Sequence, residues 1–196
     1  MADPLGKLIR TVAKYPGALL ARTKITPDQV TLLGFLVNCA VAYLIAAGQV
    51  GYPACGVLIW VAGFFDALDG SVARFTGRVS LFGNFFDSVV DRYSDCVIYL
   101  GIMARFLFSG ETGCVILAAV AMIGSFAVSY TRAKAESLGV GCEVGLMPRT
   151  VRIVILGAGF CIAQVFWALA VIAVFSHLTV VQRVLHVRNN LPKAPR

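Results

Sequence analysis

Residues 30–65 read VTLLGFLVNCAVAYLIAAGQVGYPACGVLIWVAGFF, and no side chain in that run carries a formal charge. A helix needs about 20 apolar residues to cross a bilayer, so the run is long enough for two crossings, with residues 48–53 as the turn between them. Outward from it, residues 112–131 and 153–182 are charge-free as well. The composition agrees with this pattern. Of 196 residues 59% are hydrophobic and only 14% charged, and the mean hydropathy is +0.83, which suits lipid as the solvent and not water.

The whole chain then divides into elements. Residues 5–20 put Leu5, Leu8, Ile9, Val12, Leu19 and Leu20 on one helical face and Lys7, Arg10 and Lys14 on the other. That pattern predicts a helix lying on the membrane surface, bent at Pro16. Spans are expected at 28–47, opened by Thr26-Pro27-Asp28, then at 54–75, 81–108, 112–138, 148–161 and 164–187. The expected fold is an all-α integral membrane protein of six transmembrane helices preceded by an amphipathic surface helix. It comprises an interfacial segment 1–26, a membrane domain 27–188 and a basic tail 189–196. Residues 1–26 carry five basic side chains without an apolar core or a small-residue cleavage site, so the first span is expected to insert uncleaved.

Charge placement fixes the orientation. With six spans every Lys and Arg except Arg105 falls at one end of the bundle, which the positive-inside rule assigns to the cytoplasm. Both termini are expected there, in the inner membrane of the cell. The net charge of +7 could suggest nucleic acid, but that needs a basic stripe on a soluble face, and here the basic residues fall between spans. The six cysteines form no CxxC and lie mostly in apolar runs, as small hydrophobes do, so neither disulfides nor a thiolate metal site is expected.

Asp66, Asp69, Asp87, Asp91 and Asp95 stand within or beside predicted spans, where an uncompensated ionised side chain costs several kcal/mol. Asp66 and Asp69 are at i, i+3, and Asp87 and Asp91 at i, i+4, so each pair shares a helix face and the two pairs can oppose each other. Four converging carboxylates call for cations between them. Hard oxygen ligands select Mg2+, with Mn2+ as the alternative, and two ions suit four acids. Gly70 and Gly83 flank the cluster, and a backbone without Cβ lets a bulky group approach metal-bound phosphates. Helix packing through small residues explains Gly83 equally well when it is taken alone. Arg74 could bind a carboxylate or phosphate, or anchor a helix end.

Taken together, Asp66-Ala-Leu-Asp69-Gly70-Ser-Val-Ala73-Arg74, eight residues, then Gly83-Asn-Phe-Phe-Asp87-Ser-Val-Val-Asp91 resembles the D-x-x-D-G-x-x-A-R-x8-G-x3-D-x3-D signature of CDP-alcohol phosphotransferases at every fixed position. The resemblance implies transfer of a phosphatidyl-type group from a CDP-linked lipid to an alcohol, with release of CMP. It implies that Asp66, Asp69, Asp87 and Asp91 hold two divalent ions and that Asp91 also takes the proton from the attacking hydroxyl. Asp69, Gly70, Ala73, Arg74 and Gly83 match positions that receive the CDP-lipid. Members of the family resemble one another in being dimeric, which implies a homodimer here. An alcohol is a poor nucleophile at neutral pH, so a carboxylate base and a metal-polarised phosphorus meet the two difficulties of that reaction.

Outside the signature, Ser129-Tyr130-Thr131-Arg132-Ala133-Lys134 is similar to the end of the fourth span in phosphatidylinositol-phosphate synthases and their archaeal ether-lipid relatives. Arg149, Arg152 and Arg183 also resemble that branch, although its acids flanking a Pro are replaced here by Thr150-Val151. Physically, Arg132, Lys134, Arg149, Arg152 and Arg183 are expected at the end of the bundle that holds the acids, where they suit a small anionic alcohol acceptor or simply obey the positive-inside rule. Inositol 1-phosphate fits by resemblance, and glycerol 3-phosphate is equally a phosphorylated alcohol. A cation transporter also uses intramembrane acids, but its acids should line a path through both leaflets, and these gather at one end. Intramembrane prenyl transferases share Asp-rich motifs but resemble longer chains with more spans.

Overall fold

The computed structural model describes residues 6, 8, 11–20, 25–66, 68–77 and 79–191, with the backbone alone for Leu20 and Asp69. The described residues form helices and no strands. In chain order the helices are α1 (Lys14–Leu20), α2 (Pro27–Ala46), α3 (Tyr52–Phe65), α4 (Asp69–Thr76), α5 (Leu81–Phe108), α6 (Thr112–Ser137), α7 (Arg149–Cys161) and α8 (Val165–Asn190). Four segments are long and apolar enough to cross a membrane: Pro27–Ala46, Tyr52–Thr76, Thr112–Ser137 and Val165–Asn190. The chain is a helical membrane protein. α5 has the length but carries Asp87, Asp91, Arg92, Asp95 and Arg105, and α7 is only 13 residues long.

Local sequence sets the boundaries. Thr26 caps α2 through a capping box with Gln29, as the Thr26-Pro27-Asp28 turn suggests. Ser80 caps α5 by accepting the Gly83 N–H at 2.9 Å. One expectation changes. The second span, read as a continuous helix over 54–75, is interrupted after Phe65, and the chain restarts as α4 at Asp69. The Asp66 carboxylate is engaged by partners on α2 and α7 at that point, as described below, and Leu68 N–H bonds Phe65 O in a tighter turn.

Lipid tails are as apolar as Leu, so helices in a membrane associate mainly by close van der Waals packing, and the crossings here are built on small residues. A Cβ on Gly101 of α5 would stand 2.9 Å from Ala42 Cα of α2. One on Gly124 of α6 would stand 2.9 Å from Ser176 Cβ of α8, and one on Gly56 of α3 would stand 2.9 Å from Cys161 N of α7. The core between these crossings holds Ile45, Ile59, Ile102, Phe160, Leu169 and Ile172. At the far end Arg105 donates to Ile45 O and Val50 O and lies 4.5 Å over the Tyr52 ring, so the exceptional Arg of the charge pattern is tied to the α2–α3 turn.

α1 does not simply rest on lipid. Ala13 and Gly17 are buried against α4, where a Cβ on Gly17 would come within 2.6 Å of Ser71 Cβ. Val30, Leu68 and Val72 complete this second, smaller core. Leu8, Val12 and Leu19 remain exposed on the side left for a membrane surface. Leu5 and Ile9, which the sequence places on the same face, lie outside the described residues, as do residues 192–196 of the basic tail.

Candidate active site

Asp66 ends α3 with its side chain only 7% exposed. Its Oδ1 accepts from Asn38 Nδ2 at 3.1 Å, and Asn38 also donates to Gly34 O, one turn earlier on α2. Gly34 makes the approach possible, since a Cβ there would lie 3.1 Å from the same Oδ1. The other carboxylate oxygen, Oδ2, takes Arg149 Nη2 at 2.5 Å. α5 supplies Asp87, Asp91 and Asp95 at four-residue intervals, hence on one face. Arg149 Nη1 reaches Asp91 Oδ1 at 2.6 Å and its Nε reaches Asp95 Oδ1 at 2.9 Å. Each nitrogen of the guanidinium thus serves a different carboxylate.

Arg149 opens α7, where the helix dipole disfavours a cation, and three acids from two other helices reverse that local field. None of the paired groups is more than about a fifth exposed, so these are not the weak ion pairs of an open surface. Arg152, one turn on, is 3% exposed; its Nη2 meets Asp95 Oδ2 at 3.1 Å and its Nη1 donates to Met147 O at 3.0 Å. Arg183 of α8 is also buried, and it donates to backbone oxygens, Val144 O at 2.9 Å and Val128 O.

Asp66, Asp87, Asp91 and the three arginines border one cavity of about 1830 Å3. Asp66, Gly70, Ala73, Arg74, Gly83, Asp87 and Asp91 line it from α3, α4 and α5, and Ser129, Arg132, Arg149, Arg152 and Arg183 from α6, α7 and α8. The sequence-predicted residues therefore meet in one place, with two exceptions. Lys134 is exposed and is not among the residues lining the cavity, because Ser129, Arg132, Ala133 and Glu136 set the inward phase of α6. Of Asp69 only the backbone, at the first residue of α4, is described. Arg74 lines the cavity and donates to Ser71 Oγ at 3.3 Å, and Arg132 pairs with Glu136 at 2.8 Å.

Space around the two motif glycines differs. Among the described residues a Cβ on Gly70 would find nothing nearer than Arg74 Nη1 at 3.5 Å, an ordinary contact, so none of them forbids a side chain there. At Gly83 the Ser80 hydroxyl and an Asp28 carboxylate oxygen would stand at 3.0 and 3.3 Å.

The cation expected between the acids is, among the described residues, Arg149. No group of three or more His, Cys, Asp or Glu side chains is gathered there as a metal site among the described residues, a search that leaves out the Asp69 side chain. Asp66 and Asp91 nevertheless come from two helices onto one positive group at 2.5 and 2.6 Å. That arrangement of hard oxygen donors around a cation fits a divalent ion of the Mg2+ or Mn2+ kind. Sequence reasoning missed Asn38, whose signal was a lone amide in an apolar span, and left Asp95 without a role although it continues the four-residue spacing of Asp87 and Asp91.

An acid-lined helix break opposite a basic wall, at one end of a helical membrane bundle, defines the class. The chain belongs to the CDP-alcohol phosphatidyltransferase family, whose pattern matches residues 24–185. It is similar to the archaetidylinositol phosphate synthase of Methanothermobacter thermautotrophicus, 37% identical over 92% of each chain. The phosphatidylinositol phosphate synthase of Mycobacteroides abscessus is 34% identical, over 92% of this chain and 86% of its own. Among solved structures, that of Mycobacterium tuberculosis phosphatidylinositol phosphate synthase with CDP-DAG bound aligns with a TM-score of 0.85 at 28% identity, covering 95% of this chain and 98% of that one. The same enzyme in complex with manganese and citrate also aligns at 0.85 and 28%, covering 94% and 92%.

Proposed function

We propose that this chain transfers the phosphatidyl-type group of a CDP-linked lipid to inositol 1-phosphate, releasing CMP. The observation that supports this most directly is the shared cavity, in which the acids and glycines of the family signature face arginines of α6, α7 and α8. The relatives named above act as inositol phosphate synthases, and a phosphorylated acceptor is the chemistry such a wall suits.

In the reaction the acceptor hydroxyl gives its proton to Asp91, and its oxygen attacks the phosphorus that bears the lipid. The phosphoanhydride bond to CMP breaks, and CMP leaves with the bridging oxygen. Asp91 is turned toward the cavity by Arg149, which holds its Oδ1. Arg132, Arg149 and Arg152, with Arg183 behind them, receive the acceptor phosphate, and Ser129 belongs to the same proposed surface, whereas Lys134 lies outside the cavity lining. Gly70, Ala73 and Gly83 leave room for the nucleotide beside Arg74 and Asp69. Asp66, Asp69, Asp87 and Asp91 would hold two Mg2+ ions, or Mn2+, which when bound polarise the diphosphate and neutralise the leaving group.

The proposed setting is a six-span protein of the inner membrane, with α5 and α7 crossing beside the four apolar spans and with both termini and the cavity on the cytoplasmic side. Residues 1–26 form its interfacial segment, 27–188 its membrane domain and 189–196 a basic tail, and two copies pair as a homodimer. The acids at one end and Arg105 tied at the other support that orientation. The test is CMP release from CDP-diacylglycerol with inositol 1-phosphate, glycerol 3-phosphate, serine and free inositol offered separately. Release with inositol 1-phosphate alone is the expected result, and release with glycerol 3-phosphate alone would reassign the acceptor.

A further inference from the structure

The loop between α6 and α7 leads directly into Arg149, and its conformation is set from another helix. Thr179 of α8 is fully buried. Its hydroxyl accepts the backbone N–H groups of Leu146 and Met147, both at 3.1 Å, and donates to Phe175 O at 2.8 Å. A hydroxyl has one proton to give and two lone pairs to receive, so this one is saturated. Gly145, at φ +125°, lies against the Thr179 methyl group, in a backbone region that other residues rarely enter.

The contact repeats along α8. Arg183, one turn on, holds Val144 O, and His186, three residues further, bonds Gly141 O at 3.0 Å. Positions i, i+4 and i+7 of one helix face therefore fasten the loop in reverse order, at 146–147, then 144, then 141. The loop's last carbonyl before Pro148, Met147 O, is taken by Arg152. The two arginines of α7 consequently begin from a backbone whose position is fixed by Thr179.

We propose that Thr179 is a positioning residue of the acceptor site: through Leu146 and Met147 it sets where Arg149 and Arg152 present their guanidinium groups. The proposal rests on the reading of those arginines as the acceptor wall. Thr179 is distant in sequence from the signature and is not among the residues lining the cavity, so its effect reaches the site through the arginines.

The experiment uses the full chain in detergent–lipid micelles and measures KM for inositol 1-phosphate and for CDP-diacylglycerol in Thr179→Val, Thr179→Ser and Arg132→Ala. Thr179→Val keeps the shape and loses the hydroxyl. Its inositol 1-phosphate KM is expected to rise about tenfold, with the CDP-diacylglycerol KM within about twofold of the parent. Thr179→Ser restores the hydroxyl and returns the acceptor KM toward the parent value. A residue that merely stabilised the fold would move both KM values together, or neither, and either result overturns the proposal. Arg132→Ala tests the underlying reading: an unchanged acceptor KM there means that the basic wall does not bind acceptor. A raised acceptor KM there, with none in Thr179→Val, refutes the positioning role alone. Hydrogen exchange of the parent provides a check that needs no folded variant. The Leu146 and Met147 amides must be protected, and fast exchange of both refutes the latch.

Discussion

Replacing Arg149 by Lys separates charge from geometry, because it keeps the cation and removes the fork. In the structure Nη2, Nη1 and Nε each serve a different carboxylate, at 2.5, 2.6 and 2.9 Å. An ammonium concentrates its donors on one nitrogen and cannot reach across the span that a planar guanidinium covers, so it retains one close partner. Two charge-assisted hydrogen bonds are lost, each worth about 1.5–3 kcal/mol. Taking the lower value, since the cavity admits water, the loss is about 3 kcal/mol, or roughly a hundredfold in rate. The prediction is a fall of that size in kcat/KM for inositol 1-phosphate, measured by CMP release at saturating CDP-diacylglycerol. If charge alone mattered, the Lys variant would work nearly as well as the parent. A kcat/KM within about threefold of the parent would therefore refute the argument that three separate nitrogens organise the acids.

Three further outcomes test other parts of the site. Asp91→Asn is expected to abolish transfer while CDP-lipid binding persists in an equilibrium assay with labelled lipid; loss of binding as well would remove its role as base. Asn38→Leu deletes the donor to Asp66 Oδ1 and should weaken Mn2+ binding by roughly 10- to 100-fold, the usual effect of losing a group that orients a metal ligand, read as free Mn2+ by electron paramagnetic resonance. Unchanged affinity would mean that Asn38 is a packing residue only. Gly70→Ala meets no atom closer than 3.5 Å among the described residues, so it should keep the parent's melting temperature yet raise the CDP-diacylglycerol KM about tenfold, and a lowered melting temperature with unchanged KM would show that the missing side chain serves the fold instead.

Much of this was legible in the chain because lipid leaves few solutions. The apolar runs had to be helices, since every backbone polar group must be satisfied internally, and their ends were marked by Thr26 and the basic residues. Acids at 66, 87 and 91 declared themselves by costing too much in a span, and their spacing predicted a shared face. What stayed hidden was pairing across distant helices. Arg149 reads as an arginine for the acceptor until α7 is seen to place it among Asp66, Asp91 and Asp95. Arg183 likewise matched an acceptor residue, and in the structure it grips two backbone oxygens. The interruption at Asp66 was hidden for the opposite reason, since residues 54–75 contain no Pro and their local propensity favours one continuous helix.

The cavity does not stop at the acids. Along α5 its wall continues from Asp91 to the apolar Val97 and Leu100, about 14 Å from the charged end at the rise of a helix, and across to the rings of Trp60 and Phe126. A two-chain amphiphile bound with its diphosphate at Asp91 therefore keeps its hydrocarbon beside those side chains, level with its neighbours in the leaflet. Pulling such tails into water would cost about 0.8 kcal/mol per methylene, an expense this shape avoids. Catalysis is thereby confined to the plane where the oily and aqueous reactants already meet, and both the donor and the product travel sideways through the sheet of lipids while only the small polar partners come and go through the water at that face.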